Sequence, residues 1–286
     1  MNIEIISSGL SATLQDDGRM AFLDKGIPAC GFMDANAAHL ANGLLNNAPN
    51  TVLIEMMLLG IKFRTNDAIA IAITGANMHP KVNGKEVAMN KVLQIPKDGI
   101  VSLSGASTGM YGYIAFAGEI EVAPVFGSKS TYVPAAIGGV NGKALEKGMV
   151  LSISNPKPIN VHAKVKTNTY LNSIEVACLK GPEWELFSLE SQTQFLNSTY
   201  TVSKNSNRIG IRLEGTLISM PVVDEIISSG IVKGTVQITK AGNPIVMMAD
   251  APTTGGYLRM VNLTEKAINQ LAQLPIGGTV TFKIRT

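Results

Sequence analysis

The sequence predicts a mainly β protein with a few short helices. Three observations carry this reading. Short runs of alternating apolar residues recur along the chain, the period-two signature of strands that bury a face. Turn formers are plentiful, with 28 Gly and 13 Pro, and the glycines show no collagen-like period. One local pattern, Gly before an alternating run, closes both the first half (Lys147-Gly148-Met149-Val150-Leu151-Ser152-Ile153) and the chain (Gly277-Gly278-Thr279 to Ile284), and recurs at Asp98-Gly99. Two β domains of similar build explain the recurrence, although turn-plus-strand is common in any β protein. With 286 residues, 45% hydrophobic and 16% charged, the chain has material for two cores or one large one and is not disordered.

The elements follow in order. Met1 to Ile6 reads as a first strand, and Leu10 to Leu14 is a second apolar stretch. Asp34 is placed to cap a helix running to Asn46, with Ala38, Leu40, Ala41, Leu44 and Leu45 as its apolar stripe. Ala68 to Thr74 alternates Ala and Ile, so both faces of that strand can pack. Lys81 to Val87 carries Asn83-Gly84 between short flanks, a type I′ hairpin signal. Further strands are expected at Val101 to Leu103, Tyr111 to Phe116, Val150 to Ile153, Gly210 to Leu213, Thr235 to Thr239, Pro244 to Met248 and Thr279 to Ile284. A short helix starts at Gly181-Pro182-Glu183, with Trp184 and Phe187 three apart. Thr264 caps a last helix whose Ala267, Ile268, Leu271 and Leu274 share a face before Pro275 stops it. Asn155-Pro156-Lys157-Pro158 is the linker candidate and divides the chain into domains 1–155 and 156–286.

Composition narrows the function classes. The net charge of +3 is too small to argue for nucleic acid. No apolar run is long enough to cross a membrane, and the N-terminus lacks the basic and apolar regions of a signal peptide, so no membrane association is expected. Cys30 and Cys178 form no disulfide framework, and reduced thiols in a cytoplasmic protein are the default. His39, His79 and His162 are far apart and no Cys/His cluster has zinc spacing, so no metal is expected.

Some motifs resemble known chemistry only in part. Gly105-Ala106-Ser107-Thr108-Gly109 matches a nucleophile elbow, but a strand rather than a helix follows it, so a hairpin turn is the better reading. Gly127-Ser128-Lys129-Ser130-Thr131 lacks the register of a P-loop, yet its N–H groups, hydroxyls and ammonium suit an anion; a solvated turn is the alternative. Three polar clusters stand beside apolar runs: Gln15 to Arg19, Ser206 to Arg212, and Asp250 to Tyr257. Strands that emerge from a core into such residues are where sites are often built, and capped turns are the competing reading.

At these clusters the chain resembles the family variously called the 5-oxoprolinase C subunit, KipA, allophanate hydrolase subunit 2 or the biotin-dependent carboxyltransferase-domain family. The matching stretches are Gly9–Arg19, Gly26–Asp34, Leu40–Asn42, Thr74–Ala76, Gly127–Tyr132, Gly181–Glu183, Ser206–Gly210, Gly230–Gln237, Pro244–Asp250 and Thr253–Tyr257. Departures are the extra acid Asp17, the Cys30 region where Ser is usual, and Leu258 where Pro is usual. The resemblance implies two cyclophilin-like β-barrel domains and work with a KipI-like partner, the 5-oxoprolinase B subunit. In the oxoprolinase system it implies A, B and C subunits that together hydrolyse 5-oxo-L-proline to L-glutamate with ATP, shared with the partners. The high apolar fraction and few charges lead to the expectation of an exposed apolar patch that binds the B subunit, with self-association of the B–C pair. This chain alone is then expected to be inactive. The alternatives within the family are a KipA-like antagonist of a kinase inhibitor and the carboxyltransferase component of a urea carboxylase-like enzyme.

A site for 5-oxoproline and a phosphorylated intermediate needs a cation and oriented donors. The expected cleft combines Arg19, Lys129 and Arg208 with Gln237, Asp250, Thr253, Thr254 and Tyr257, and Gln15, Asp16, Ser130, Tyr132, Gly255 and Gly256 complete the binding set. Arg208, Asp250 and Lys129 are the catalytic candidates. Arg208 is the favoured carboxylate clamp because a guanidinium matches a carboxylate bidentately. Asp250 is read as orienting rather than as a base, and a structural Arg208–Asp250 ion pair is the competing interpretation.

Overall fold

The alternating runs of the sequence become strands in the computed structural model, which describes residues 1–159, 165–166, 169–222 and 228–285. The described residues are mainly β, with three short α-helices. They form two compact units: Met1–Arg19 with Cys30–Tyr170, and Met20–Ala29 with Leu171–Thr286. The boundary expected after residue 155 thus differs from the observed division. The proline-rich stretch is held on the first unit, where Lys157 N–H donates to Ala117 O at 3.1 Å and Lys157 Nζ to Asn46 O at 2.8 Å. Gln94 Nε2 likewise donates to Ile159 O at 2.8 Å.

The first unit is built from two sheets around one core. One sheet runs in the order Glu119–Ile120, Val150–Ser154, Asn2–Ser7, Lys62–Thr65, Ile100–Ser102, Lys81–Val82, Lys85–Glu86. The other runs Ser11–Gln15, Leu53–Met57, Thr108–Phe116, Ile69–Asn77, Val92–Ile95. Ile3, Ile5, Phe63 and Val101 from the first meet Leu14, Ile54, Ile73 and Phe116 from the second, and the Phe63 and Phe116 rings lie 5.7 Å apart, edge to face. The Ala/Ile strand is buried on both faces, as its sequence predicts, because α1 (Ala35–Leu44) covers the side the core leaves. Asp34 caps α1 by accepting from Ala37 N–H at 3.1 Å. The helix stops at Leu44 rather than Asn46, because Asn46 turns left-handed (φ 53°) and Asn47 N–H returns to Asn42 O. Asn83 and Gly84 (φ 49° and 81°) make the expected I′ turn. The Gly105–Gly109 motif runs directly into the strand Thr108–Phe116, so no nucleophile elbow forms.

The second unit is a closed barrel. Its strands run Ser173–Lys180, Leu258–Leu263, Thr235–Ile238, Pro244–Met247, Gly210–Glu214, Tyr200–Val202 and Thr279–Ile284, and the last pairs in parallel with the first. Closure removes the exposed sheet edges that invite aggregation. Val176, Val236, Val246, Met260 and Phe282 are buried in it. α2 (Leu189–Asn197), not foreseen from the sequence, is capped by Ser188 and lays Phe195 on Phe282 at 4.6 Å. α3 (Glu265–Ala272) is capped by Thr264 and buries Ala267, Ile268, Leu271 and Ala272, as its spacing predicts. A small ribbon, Ser229–Gly230 paired with Thr254–Gly255, stands beside the barrel sheet.

Candidate functional site

In the first unit the polar run after strand Ser11–Gln15 meets the loop Gly127–Thr131. That loop leaves a two-residue turn whose Phe126 and Gly127 are both left-handed (φ 53° and 78°), with Val125 N–H donating to Ser128 O. The loop is an anion cradle, and the anion it holds is the carboxylate of Asp16. Asp16 Oδ1 accepts from Ser128 Oγ at 2.5 Å, Ser130 Oγ at 2.6 Å and Gly18 N–H at 2.8 Å, and Oδ2 accepts from Lys129 N–H at 2.6 Å. Ser130 is also the acceptor for Asp16 N–H at 2.9 Å. Charge-assisted bonds of this kind are the strong ones.

The neighbours of Asp16 extend this network, although Gln15 Oε1 and Arg19 Nη1 are buried with no hydrogen-bond partner among the described residues. Arg19 is 2% exposed and ties down the loop: its Nε donates to Val125 O at 3.3 Å and its Nη2 to Ser130 O. Gly138 (φ 68°) must lack a side chain there, since a Cβ would lie 2.1 Å from Ser130 O. Gln15 is fully buried and donates to Thr13 Oγ1 and Thr131 O at 2.9 and 3.1 Å. Lys129 is half-buried, with Nζ donating to Ile120 O at 3.4 Å. Tyr132 N–H pairs with Ile137 O. The structure therefore brings together Gln15, Asp16, Arg19, Lys129, Ser130 and Tyr132, and joins them to one another and to the backbone. The extra acid Asp17 is half-exposed and meets His39 Nε2 at 2.6 Å.

A buried acid that sequence reasoning missed lies in the same unit. Glu55, 2% exposed, accepts from Met33 N–H at 2.7 Å, while the Tyr113 hydroxyl accepts from Asp34 N–H at 2.7 Å. Complete burial, then the nearby charges of Glu55 and Asp34, push the Tyr113 phenol well above its ordinary value. The signal was a lone carboxylate in the apolar run Leu53-Ile54-Glu55-Met56-Met57.

In the second unit Arg208 and Asp250 form a two-pronged pair: Nε donates to Oδ2 at 2.9 Å and Nη2 to Oδ1 at 2.8 Å. Asp250 N–H also donates to Arg208 O, so backbone and side chain lock the same two residues. The geometry is that of a carboxylate clamp, made with the protein's own carboxylate. Asp250 opens the loop that carries Thr253, Thr254, Gly255, Gly256 and Tyr257. Thr253 O accepts from Ile231 N–H, and Thr254 pairs with Gly230 in the ribbon. Gln237 is buried and donates to Tyr257 O at 3.1 Å; a Cβ on Gly255 would lie 2.9 Å from its Nε2. Thr254, Gly256 and Tyr257 are exposed.

A second ion pair, absent from the expected set, braces this loop. Glu183 accepts from the backbone N–H and Nε of Arg259, both at 2.9 Å, and from Nη2 at 2.5 Å, while Arg259 Nη1 reaches Gly230 O at 2.8 Å. The hydrogen bonds from Arg259 hold the Glu183 carboxyl below its ordinary value, against the opposing effect of burial. Among the described residues no group of three or more His, Cys, Asp or Glu side chains is arranged to hold a metal, and His162 lies outside those residues.

Comparison with known proteins adds to this geometry. Residues 25–284 match the carboxyltransferase domain family, subdomains A and B. The chain is 36% identical over 283 residues to the 5-oxoprolinase C subunit of Escherichia coli (strain K12), covering 98% of this chain and 90% of that protein. It is 28% identical over 309 residues to the urea amidolyase of Lachancea kluyveri, of which it spans 17%. The crystal structure of the K. lactis urea amidolyase superposes over 100% of this chain and 19% of that one, with TM-score 0.93 and 25% identity.

Proposed function

The chain belongs to the carboxyltransferase domain family, subdomains A and B, and from that membership we propose that it is the C subunit of an ATP-dependent 5-oxoprolinase. It acts with the A and B subunits to convert 5-oxo-L-proline to L-glutamate. The observation that carries this reading is the match at both lengths, 98% of this chain and 90% of its bacterial 5-oxoprolinase relative. The urea amidolyase match covers 17% of a much longer protein, which supports a shared fold more than a shared reaction.

A lactam is stabilised by amide resonance, so water opens it slowly. ATP supplies the phosphoryl group that activates the lactam carbonyl. Water adds to the ring carbon, the C–N bond breaks with the nitrogen leaving as the amine, and a second water releases the phosphate. The residues of this chain do not fit a nucleotide phosphate at the Gly127–Thr131 loop, because the Asp16 carboxylate already takes its donors. This loop is therefore not taken as the nucleotide site, and the ATP is shared with the partner subunits. The task of this chain is to position donors, and the loop Asp250–Tyr257 fits that task. The Arg208–Asp250 and Glu183–Arg259 pairs anchor it on both sides. Thr253, Thr254 and Tyr257 supply hydroxyls on that rigid base, the arrangement that stabilises developing negative charge.

Reconstitution tests this. ATP hydrolysis that depends on 5-oxoproline, with glutamate formed, is expected only when the A and B subunits and this chain are mixed, and this chain alone is expected to be inactive. Full activity from the A and B subunits without this chain overturns the reading. In the assembled enzyme Arg208→Lys keeps the charge and loses the fork. It is expected to lower the thermal stability and leave KM for 5-oxoproline unchanged, because the fork serves Asp250. A raised KM at unchanged stability makes Arg208 the substrate clamp instead.

A further inference from the structure

The first unit carries a cavity of about 250 Å³ whose lining shares no residue with the Asp16 network or the Asp250–Tyr257 loop. It opens where the strands Ile69–Asn77 and Thr108–Phe116 meet the Lys81–Glu86 hairpin. The pairing of these two strands slips between Thr108 and Gly112, and such bulges are common beside sites because they re-aim side chains. Its volume is below the roughly 300–1,000 Å³ of drug-sized pockets, so its occupant is small.

Asn77, His79 and Thr108 on its wall can each donate a hydrogen bond, and Tyr170 and Glu86 complete its polar lining. Asn77 Oδ1 is committed to His79 N–H at 3.2 Å, which holds His79 in a left-handed conformation (φ 48°). That bond orients the Asn77 amide, whose NH₂ is available as a donor to a ligand. The His79 imidazole and the Thr108 hydroxyl have no hydrogen-bond partner among the described residues, and both residues are exposed. A left-handed histidine is uncommon, and such conformations cluster at ligand sites. The acid on the wall, Glu86, faces Lys81 Nζ across the hairpin at 3.7 Å, so its charge is matched. Val87 and Met89, half-buried, supply an apolar side. Three donors, one neutralised acid and a short apolar wall select an acceptor-rich head on a small apolar body.

We propose that this pocket binds a small carboxylic acid with a short apolar body, its carboxylate held by Asn77, Thr108 and His79. A five-membered lactam acid such as 5-oxoproline belongs to that class; naming it as the occupant rests on the oxoprolinase reading, whereas the carboxylate site does not. Calorimetric titration of the full chain tests both, using 5-oxo-L-proline, cyclopentanecarboxylate and the neutral cyclopentanecarboxamide. Both acids are expected to bind saturably and the carboxamide about tenfold more weakly, the worth of one hydrogen bond to a charged group. The double variant Asn77→Ala, Thr108→Val is expected to lose at least about tenfold in acid affinity while its circular dichroism shows the fold retained, and Thr108→Val alone, which breaks no bond within the protein, is expected to lose part of that affinity at unchanged Tm. No saturable binding of either acid, equal binding of the carboxamide, or undiminished acid binding in the folded double variant overturns the site. Binding of cyclopentanecarboxylate without 5-oxoproline keeps the site and overturns the lactam as its occupant. Reconstituted enzyme without 5-oxoproline-dependent turnover, in a chain whose pocket binds acids, removes the functional reading alone.

Discussion

Asp16 shows how a residue can have the chemistry of a ligand-binding group and serve the fold. It is 9% exposed and its two oxygens accept four donors from the Gly127–Ser130 loop and Gly18. A buried carboxylate is tolerated only when its lone pairs are matched in this way. Asp16→Asn keeps the shape but turns an acceptor into a donor that faces another donor. We expect it to lower stability by about 2–3 kcal/mol, read from the urea midpoint at unchanged m-value. A substrate-binding Asp16 gives the opposite result, with the midpoint intact and KM for 5-oxoproline raised in the assembled enzyme. At the same scale, Glu55 and Glu183 show that an isolated charge in an apolar run or beside a turn is worth tracing to its partner. Each had a legible signal, and neither partner was near in sequence.

Helix caps are where element and sequence agree most closely. Asp34 and Thr264 stand at N-caps and accept from the third residue on, Ala37 and Ala267. Their substitution should not cost the same. Thr264 is a local cap, and Thr264→Ala should cost about 1 kcal/mol. Asp34 is 3% exposed, and its backbone N–H also engages the buried Tyr113 hydroxyl. Asp34→Ala keeps that backbone bond but should cost about 2 kcal/mol or more, since it leaves the buried Ala37 N–H unpaired, whereas the N–H that Thr264 caps is only part-buried. Chemical denaturation of both variants checks this, and equal losses would show that burial of the capped N–H adds nothing to the worth of the cap. The elements read correctly had strong local signals: Asn83-Gly84, the Ala/Ile alternation, and the period of α3. Strand Lys62–Thr65 carries charges on one face and Ser173–Lys180 carries Glu175 and Lys180 on opposite faces, so neither shows a clean apolar alternation. Helix α2 was missed because its short apolar face is little more than Phe195.

Across the whole molecule, buried titratable groups set the alkaline limit. Burial pushes the Cys178 thiol from 9.0 up to about 12 and the Tyr200 phenol from 10.0 up to about 12, both in the barrel of the second unit. Tyr113 is raised in the first. Each is neutral when protonated, and the unfolded chain releases these protons at lower pH than the folded one. Stability is therefore complete below about pH 9 and falls as pH rises toward 12. The single Trp of the chain, Trp184, belongs to the second unit, so its fluorescence reports that barrel. Urea midpoints followed by Trp184 emission should fall above pH 9, and Cys178→Ala should flatten the first part of that fall. A midpoint flat from pH 8 to about 11 would show that the thiol does not contribute.

The sequence by itself determined the mainly β class, the capped helices, the turn chemistry and the polar clusters, because each depends on residues a few positions apart. Tertiary structure decided what those clusters touch. The Gly127–Thr131 loop reads as an anion cradle, and only folding shows that its anion comes from Asp16, more than a hundred positions away. Arg208 reads as a carboxylate clamp, and only the pairing of strands Gly210–Glu214 and Pro244–Met247 delivers Asp250 to it. The same holds for the division of the chain. Proline content marks a linker near residue 156, but hydrogen bonds from Lys157 and Gln94 keep that stretch on the first unit, and Met20–Ala29 joins the second. Local pattern states which groups a residue can offer; the partner that accepts them is set by long-range packing, which no window of sequence contains.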